Sequence, residues 1–156
     1  MEKALKDYGD MPGHLARRYQ QLAVAIFYAE VGACGSDLTP VQFAALAALQ
    51  GNPGIDQITL AALIAYDRTT IAGVVDRLAR KGYVLRKVSE RDRRASELYI
   101  TDEGVSVLAL IEPGVDATQR LLVSGLSAQE ADTFLNLMRK AIEAIKDFGR
   151  APIRTP

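Results

Sequence analysis

Apolar positions recur every three or four residues through residues 14–31, where Leu15, Tyr19, Leu22, Ile26 and Ala29 share a face that Ala23 and Phe27 widen. That period predicts an amphipathic helix, and Gly32, Gly35 and Ser36 break it. Thr39-Pro40-Val41-Gln42 has the form of a helix start: Thr39 can cap, Pro40 suits the first turn and Gln42 completes a capping box. This second helix is expected to run to about Gln50 and to stop at Gly51-Asn52-Pro53-Gly54. A short helix over about 56–64 follows, with Asp56 as its cap. Tyr66-Asp67 interrupts the pattern, and Asp67 caps a longer helix over 68–81. Its apolar stripe is narrow (Ile71, Val74, Val75, Leu78), and Gly82 is placed to stop it.

The pattern then changes period. Tyr83–Val88 and Glu97–Ile100 read as two strands, joined by the charged loop Ser89-Glu90-Arg91-Asp92-Arg93-Arg94-Ala95-Ser96. Thr101-Asp102-Glu103 opens a helix over about 102–122, which Pro113-Gly114 is expected to bend. Ser127-Ala128-Gln129-Glu130 is a second capping box. It starts a final helix to about Phe148, with Phe134, Met138, Ala141, Ile142, Ile145 and Phe148 on one face. The predicted fold is mainly α with a small β-hairpin.

Composition changes this picture in one respect. The 156 residues balance 19 basic against 19 acidic side chains, yet the charge is not spread evenly. Between Asp67 and Arg94 nine basic residues face four acids, a net of +5, which leaves −5 for the rest of the chain. A basic module on an acidic body points to a polyanionic partner despite zero net charge. The single cysteine, Cys34, excludes an intramolecular disulfide and a Cys-rich zinc site, and the single histidine, His14, excludes His-pair metal motifs. No metal or cofactor is expected. No uncharged run reads as a membrane span, and the N-terminus lacks the apolar core of a signal peptide. The simplest reading is a cytoplasmic protein without a membrane partner.

The short helix and the one after it make a helix-turn-helix. Such a unit reads DNA when its second helix presents a small, polar outer face to the major groove. Opposite the apolar stripe lie Thr69, Ala72, Gly73 and Asp76, with Arg68 and Thr70 at the N-terminal end. Small residues permit close approach, and Thr hydroxyls with Arg68 can bond phosphates or base edges. Asp76 sits poorly near phosphates, so it is expected to pair with Arg77 or Arg80, or to accept a hydrogen bond from cytosine. The arginine-rich hairpin that follows completes what a winged helix needs, since a wing arginine can enter the minor groove.

These residues together resemble the MarR family of transcription regulators. The resemblance is carried by Leu38-Thr39-Pro40-Val41-Gln42-Phe43, by Asp67-Arg68-Thr69-Thr70-Ile71 and by Val75–Val84. It is carried further by Asp92-Arg93-Arg94 followed by Leu98–Gly104. With the flanking helices it covers roughly residues 14–148. It implies one domain over 1–156, with a winged helix-turn-helix lobe at 36–101 and dimerisation helices at 14–31 and 102–148. It implies a homodimer whose first and last two helices interlock, on a pseudo-palindromic double-stranded operator. It implies that Asp92 braces the wing while Arg93 and Arg94 meet DNA. Gly73 departs from the family, where a larger polar residue is common.

The expected DNA-contacting set is therefore Arg68, Thr69, Thr70, Arg77, Arg91, Arg93 and Arg94, and the expected dimer interface is Leu121, Leu122, Phe134, Met138, Ile142 and Ile145. A regulator also needs an input. Arg17, Arg18 and Tyr19 stand together on the first helix, with His14 before them and Phe43 from the second helix within range. Guanidinium beside aromatic rings suits an aromatic carboxylate or its coenzyme A thioester. Two other readings stay open: an interaction module that keeps the scaffold without binding DNA, and a redox-responsive repressor that uses Cys34. An enzyme has little support, because the chain shows no Gly-rich phosphate loop, His/Glu zinc pattern or nucleophile elbow.

Overall fold

The computed structural model describes residues 7–90 and 96–150. After a 3-10 turn at Tyr8–Asp10 come α1 (Pro12–Ala33), α2 (Pro40–Gly51), α3 (Gln57–Leu63) and α4 (Arg68–Arg80). The antiparallel hairpin of β1 (Val84–Val88) and β2 (Ser96–Ile100) follows, then α5 (Asp102–Leu122), α6 (Ala128–Ile145) and a 3-10 turn at Lys146–Arg150. The described residues form two compact units, one ending at Thr118 and the other beginning at Gln119.

Capping sets most of the boundaries. Thr39 and Gln42 form the reciprocal capping box of α2, and Ser127 and Glu130 that of α6. Asp56 and Asp67 cap α3 and α4 by accepting from Thr59 N and Thr70 N at 2.7 and 2.8 Å. The end of α4 is closed by Tyr83 N donating to Leu78 O at 2.9 Å, with Gly82 at φ 78°. The end of α3 closes in the same way, Tyr66 N donating to Ala61 O at 3.1 Å, but the left-handed residue there is Ala65, at φ 57°. The turn of the helix-turn-helix is thus made without glycine, and α3 and α4 differ in direction by 110° across it.

The core of the first unit is built around α2, whose Ala45, Leu46 and Leu49 are wholly buried. Ile71, Val74, Val75 and Leu78 of α4 are also wholly buried, as the stripe predicted. Burial of such side chains contributes about 1.5–3 kcal/mol each, so α4 is held by one face while the other stays free. The hairpin is tied to the same core by Leu98, which also pairs with Ile55 in an isolated antiparallel bridge.

One expectation about a helix face is corrected. On α1 the buried residues are Phe27 and Val31, whereas Leu15 and Leu22 are about half exposed, because this 22-residue helix carries apolar side chains on two faces. Along α5 Pro113 lies inside a continuous helix. Its neighbour Gly114 serves close packing: a Cβ there would stand 2.6 Å from the Glu30 carbonyl oxygen of α1. Gly104 is tighter still, since its Cβ would meet Tyr83 O at 2.5 Å and the Ile100 side chain at 2.7 Å. Gly104→Val is expected to cost about 3 kcal/mol by overpacking against backbone, and a urea melt against the parent chain measures it.

Candidate nucleic-acid interface

The first turn of α4 is fixed by Asp67. One carboxylate oxygen accepts the Thr70 N–H, and the other accepts the Thr70 hydroxyl at 2.5 Å. The hydroxyl and the N–H together hold the Asp67 carboxyl below its ordinary pKa. The Thr70 hydroxyl proton is therefore committed to the cap, which leaves only its lone pairs for an outside donor. Arg68 and Thr69 are exposed beside it.

Further along, the surface opposite the buried stripe carries Gly73, Asp76 and Arg80, flanked by Arg77. The guanidinium of Arg77 lies over Gly73, with both terminal nitrogens 3.8 Å from where a Cβ would stand. Asp76 departs from the expected pairing. Its carboxylate takes Arg86 of β1, Oδ1 to Nη2 at 2.5 Å, and neither Arg77 nor Arg80 bridges it. The reason is geometric: β1 runs back alongside the outer flank of α4 and brings Arg86 nearer than the helix's own arginines. Arg80 Nε instead donates to the Asp76 carbonyl at 3.4 Å. Lys81 is bridged to Asp37 at 2.6 Å, which holds the Asp37 carboxyl below its ordinary pKa, first through the hydrogen bond and then through the charge. Among the described residues Arg68, Arg77 and Arg80 have no ion-pair partner.

The hairpin register pairs Val88 with Ser96 at its outer end. Arg91, Asp92, Arg93 and Arg94 fall between these two in the chain and lie outside the described residues. Within the hairpin Lys87 Nζ sits 4.9 Å above the Tyr99 ring. The Tyr99 hydroxyl donates to Glu97 at 2.8 Å, which raises the phenol's pKa.

The residues expected to hold an effector are only partly brought together. The His14 ring lies 4.4 Å from that of Tyr8, tilted by 52°, and its buried Nδ1 has no hydrogen-bond partner among the described residues. Arg17 and Arg18 are exposed and Tyr19 is half-buried. Phe43 goes to the core, its ring 5.7 Å from Phe27. A cavity of about 530 Å³ opens elsewhere, lined by Val24 and Tyr28 of α1, the start of α2, Tyr66, Arg77 and Lys81. Sequence reading missed it, because its wall comes from four separated segments and only the fold unites them. Cys34 is half-buried at the end of α1, its thiol donating to Glu30 O at 3.5 Å.

In the second unit α6 buries none of its residues. Met138, Ile142 and Ile145 are 37%, 60% and 60% exposed, and Phe134 is half-buried. Leu121 of α5 is 46% exposed and Leu122 half-buried. Among the described residues no three His, Cys, Asp or Glu side chains are grouped to hold a metal, and no single helix is long and apolar enough to cross a membrane.

The model of the MarR family matches residues 36–95, from the approach to α2 into the connection after β1. The HTH-type transcriptional repressor NicR of Pseudomonas putida is 32% identical over 143 residues, covering 92% of this chain and 89% of its own. The chain belongs to the MarR family. Among solved structures it is similar to the PcaV transcriptional regulator of Streptomyces coelicolor in complex with its natural ligand. That likeness has a TM-score of 0.82 and 36% identity, over 90% of this chain and 98% of PcaV. It is also similar to BpsR of Bordetella bronchiseptica, whose DNA binding is regulated by 6-hydroxynicotinic acid. There the TM-score is 0.82 with 27% identity, over 88% of this chain and 96% of BpsR. As a MarR-family protein it is a DNA-binding transcription regulator, and the winged helix-turn-helix expected from the sequence is the fold observed.

Proposed function

We propose that this MarR-family protein is a cytoplasmic repressor that binds a pseudo-palindromic operator as a homodimer and releases it when a small aromatic acid, or its coenzyme A thioester, binds. The observation that carries the reading is α4. Its inner face is wholly buried, while its outer face presents Arg68, Thr69, Arg77 and Arg80 without competing ion pairs among the described residues. Residues 36–101 act as the DNA-reading lobe, with Arg91, Arg93 and Arg94 as the wing's contacts and Asp92 as its brace. The helices of 14–31 and 102–148 supply the contacts between two copies. The uncovered apolar face of α6 supports this, since Met138, Ile142 and Ile145 gain about 25 cal/mol for each Å² a second copy covers.

The nature of the effector is supported by the ligands that PcaV and BpsR carry or obey, and by residues of this chain suited to an aromatic acid. Arg17 and Arg18, exposed and without an ion-pair partner among the described residues, suit a carboxylate, and Tyr19 with His14 offers aromatic surface. Binding favours a spacing of the two α4 helices that misfits successive major grooves, to the extent that the two states differ in affinity. The test uses 6-hydroxynicotinic acid and a panel of hydroxybenzoic acids against the purified protein. A member of the panel raises the Tm and releases DNA, and Arg17→Ala or Arg18→Ala abolishes the response while leaving DNA binding of the free protein nearly unchanged. A normal response in both variants moves the site away from α1. Release by oxidants alone, blocked by Cys34→Ser, replaces the aromatic acid with a redox signal.

A further inference from the structure

The outer face of α4 holds one feature that phosphate binding does not explain. A DNA-reading surface gains from positive charge, yet Asp76 stands in the middle of this one, with its side chain 54% exposed. Its charge is balanced from outside the helix: Arg86, on the first strand of the wing, meets one carboxylate oxygen at 2.5 Å. Among the described residues the second oxygen has no partner. The acid is thus neutralised at its flank and, among the described residues, left with a free acceptor on the exposed outer face of α4.

We propose that Asp76 is a specificity-determining residue, reading an exocyclic amino group of cytosine or adenine, and that Arg86 is its positioning residue. This rests on the DNA-binding reading of α4 and extends it. In the major groove only cytosine N4 and adenine N6 offer donors, whereas guanine O6 and N7 and thymine O4 are acceptors. A carboxylate oxygen is satisfied by the first pair and repelled by the others. A phosphate repels it too, so Asp76 also discriminates against sliding contacts with the DNA backbone. Arg86 has two effects. It holds the carboxylate aimed across the helix, and it spends its own charge on Asp76 rather than on a phosphate. The pair therefore lowers affinity for any sequence that lacks a donor at that position and leaves affinity for the operator intact.

The consequence is measurable without knowing the operator in advance. A random duplex pool is selected with the parent protein, and the selected site is then varied at every base pair. Binding of the parent chain, Asp76→Asn, Arg86→Gln and the double variant is followed by fluorescence anisotropy across a range of salt concentrations, with thermal melts confirming that each is folded. Asp76→Asn loses about tenfold of discrimination at one base pair in each half-site. Its binding to random duplex becomes tighter, and its salt slope steepens by about 2 because the Arg86 of each protomer is freed for a phosphate. Arg86→Gln weakens binding to all sequences, since an uncompensated acid then faces the DNA. The double variant returns the slope to that of the parent. Arg86→Lys, which can keep the ion pair, retains the parent's preference. If Asp76→Asn keeps the parent's preference at every base pair and its salt slope, the inference is overturned while DNA reading by α4 stands. If the parent chain selects no sequence at all, it is the DNA-binding reading that fails.

Discussion

Replacing Arg91, Arg93 and Arg94 together by alanine is expected to remove operator binding by about 10²–10³-fold at physiological salt, with little change in Tm. The basic stretch from Asp67 to Arg94 carries a net of +5, and these three arginines are the part of it that the chain places between the two strands of the hairpin. Of the remaining cations in that stretch, Arg86 is spent on Asp76, Lys81 on Asp37, and Lys87 lies over Tyr99. The wing arginines thus supply a large share of the charge still available to phosphates. Each phosphate neutralised contributes about 0.9 to the slope of log affinity against log salt, and a dimer carries two wings, so the triple variant should lower that slope by about 5 and Arg94→Ala alone by about 2. An unchanged complex from the triple variant would remove the wing from the binding surface.

The second large effect concerns association. Met138→Glu with Ile142→Glu is expected to convert a dimer into a monomer at micromolar concentration and to reduce operator affinity by at least 10³-fold. Both residues lie on the face of α6 that the single chain leaves open to solvent. A second copy that covers this face removes apolar area from water, and placing two carboxylates in it leaves buried charge without a partner. Loss of the dimer then halves the DNA contacts and makes the two recognition helices independent. Sedimentation equilibrium measures the first effect and anisotropy the second. A parent chain that sediments as a folded monomer at micromolar concentration contradicts the dimer outright.

How much of this could be read from the chain depends on the range of the interaction concerned. Local chemistry was legible. The capping boxes at Thr39 and Ser127, the caps at Asp56 and Asp67, and the stop at Gly82 each act within a few residues, and the helices begin and end where they direct. The buried stripe of α4 followed from its period for the same reason. Features that depend on elements meeting in space were not legible. Asp76 was expected to bond with arginines on its own helix, because the sequence does not show that β1 returns along α4. Phe43 and Phe27 meet across two helices, and that pairing of rings has no local sequence signature. The cavity beside Tyr28, Tyr66 and Arg77 has no sequence signature at all. Ala65 shows a third kind of failure: the turn carries no glycine to announce it, and the left-handed residue is imposed by the hydrogen bonds that close α3.

The central claim is that α4 and the hairpin of two copies read DNA together. Selection of a random duplex pool with the full-length protein, followed by sequencing of the bound fraction, tests it most directly. The account predicts enrichment of one pseudo-palindrome whose half-sites are centred about one helical turn, 10–10.5 base pairs, apart, with the enriched site lost to the Met138→Glu, Ile142→Glu variant. A bound fraction with no enriched sequence, or a single asymmetric site held equally well by that variant, would contradict it.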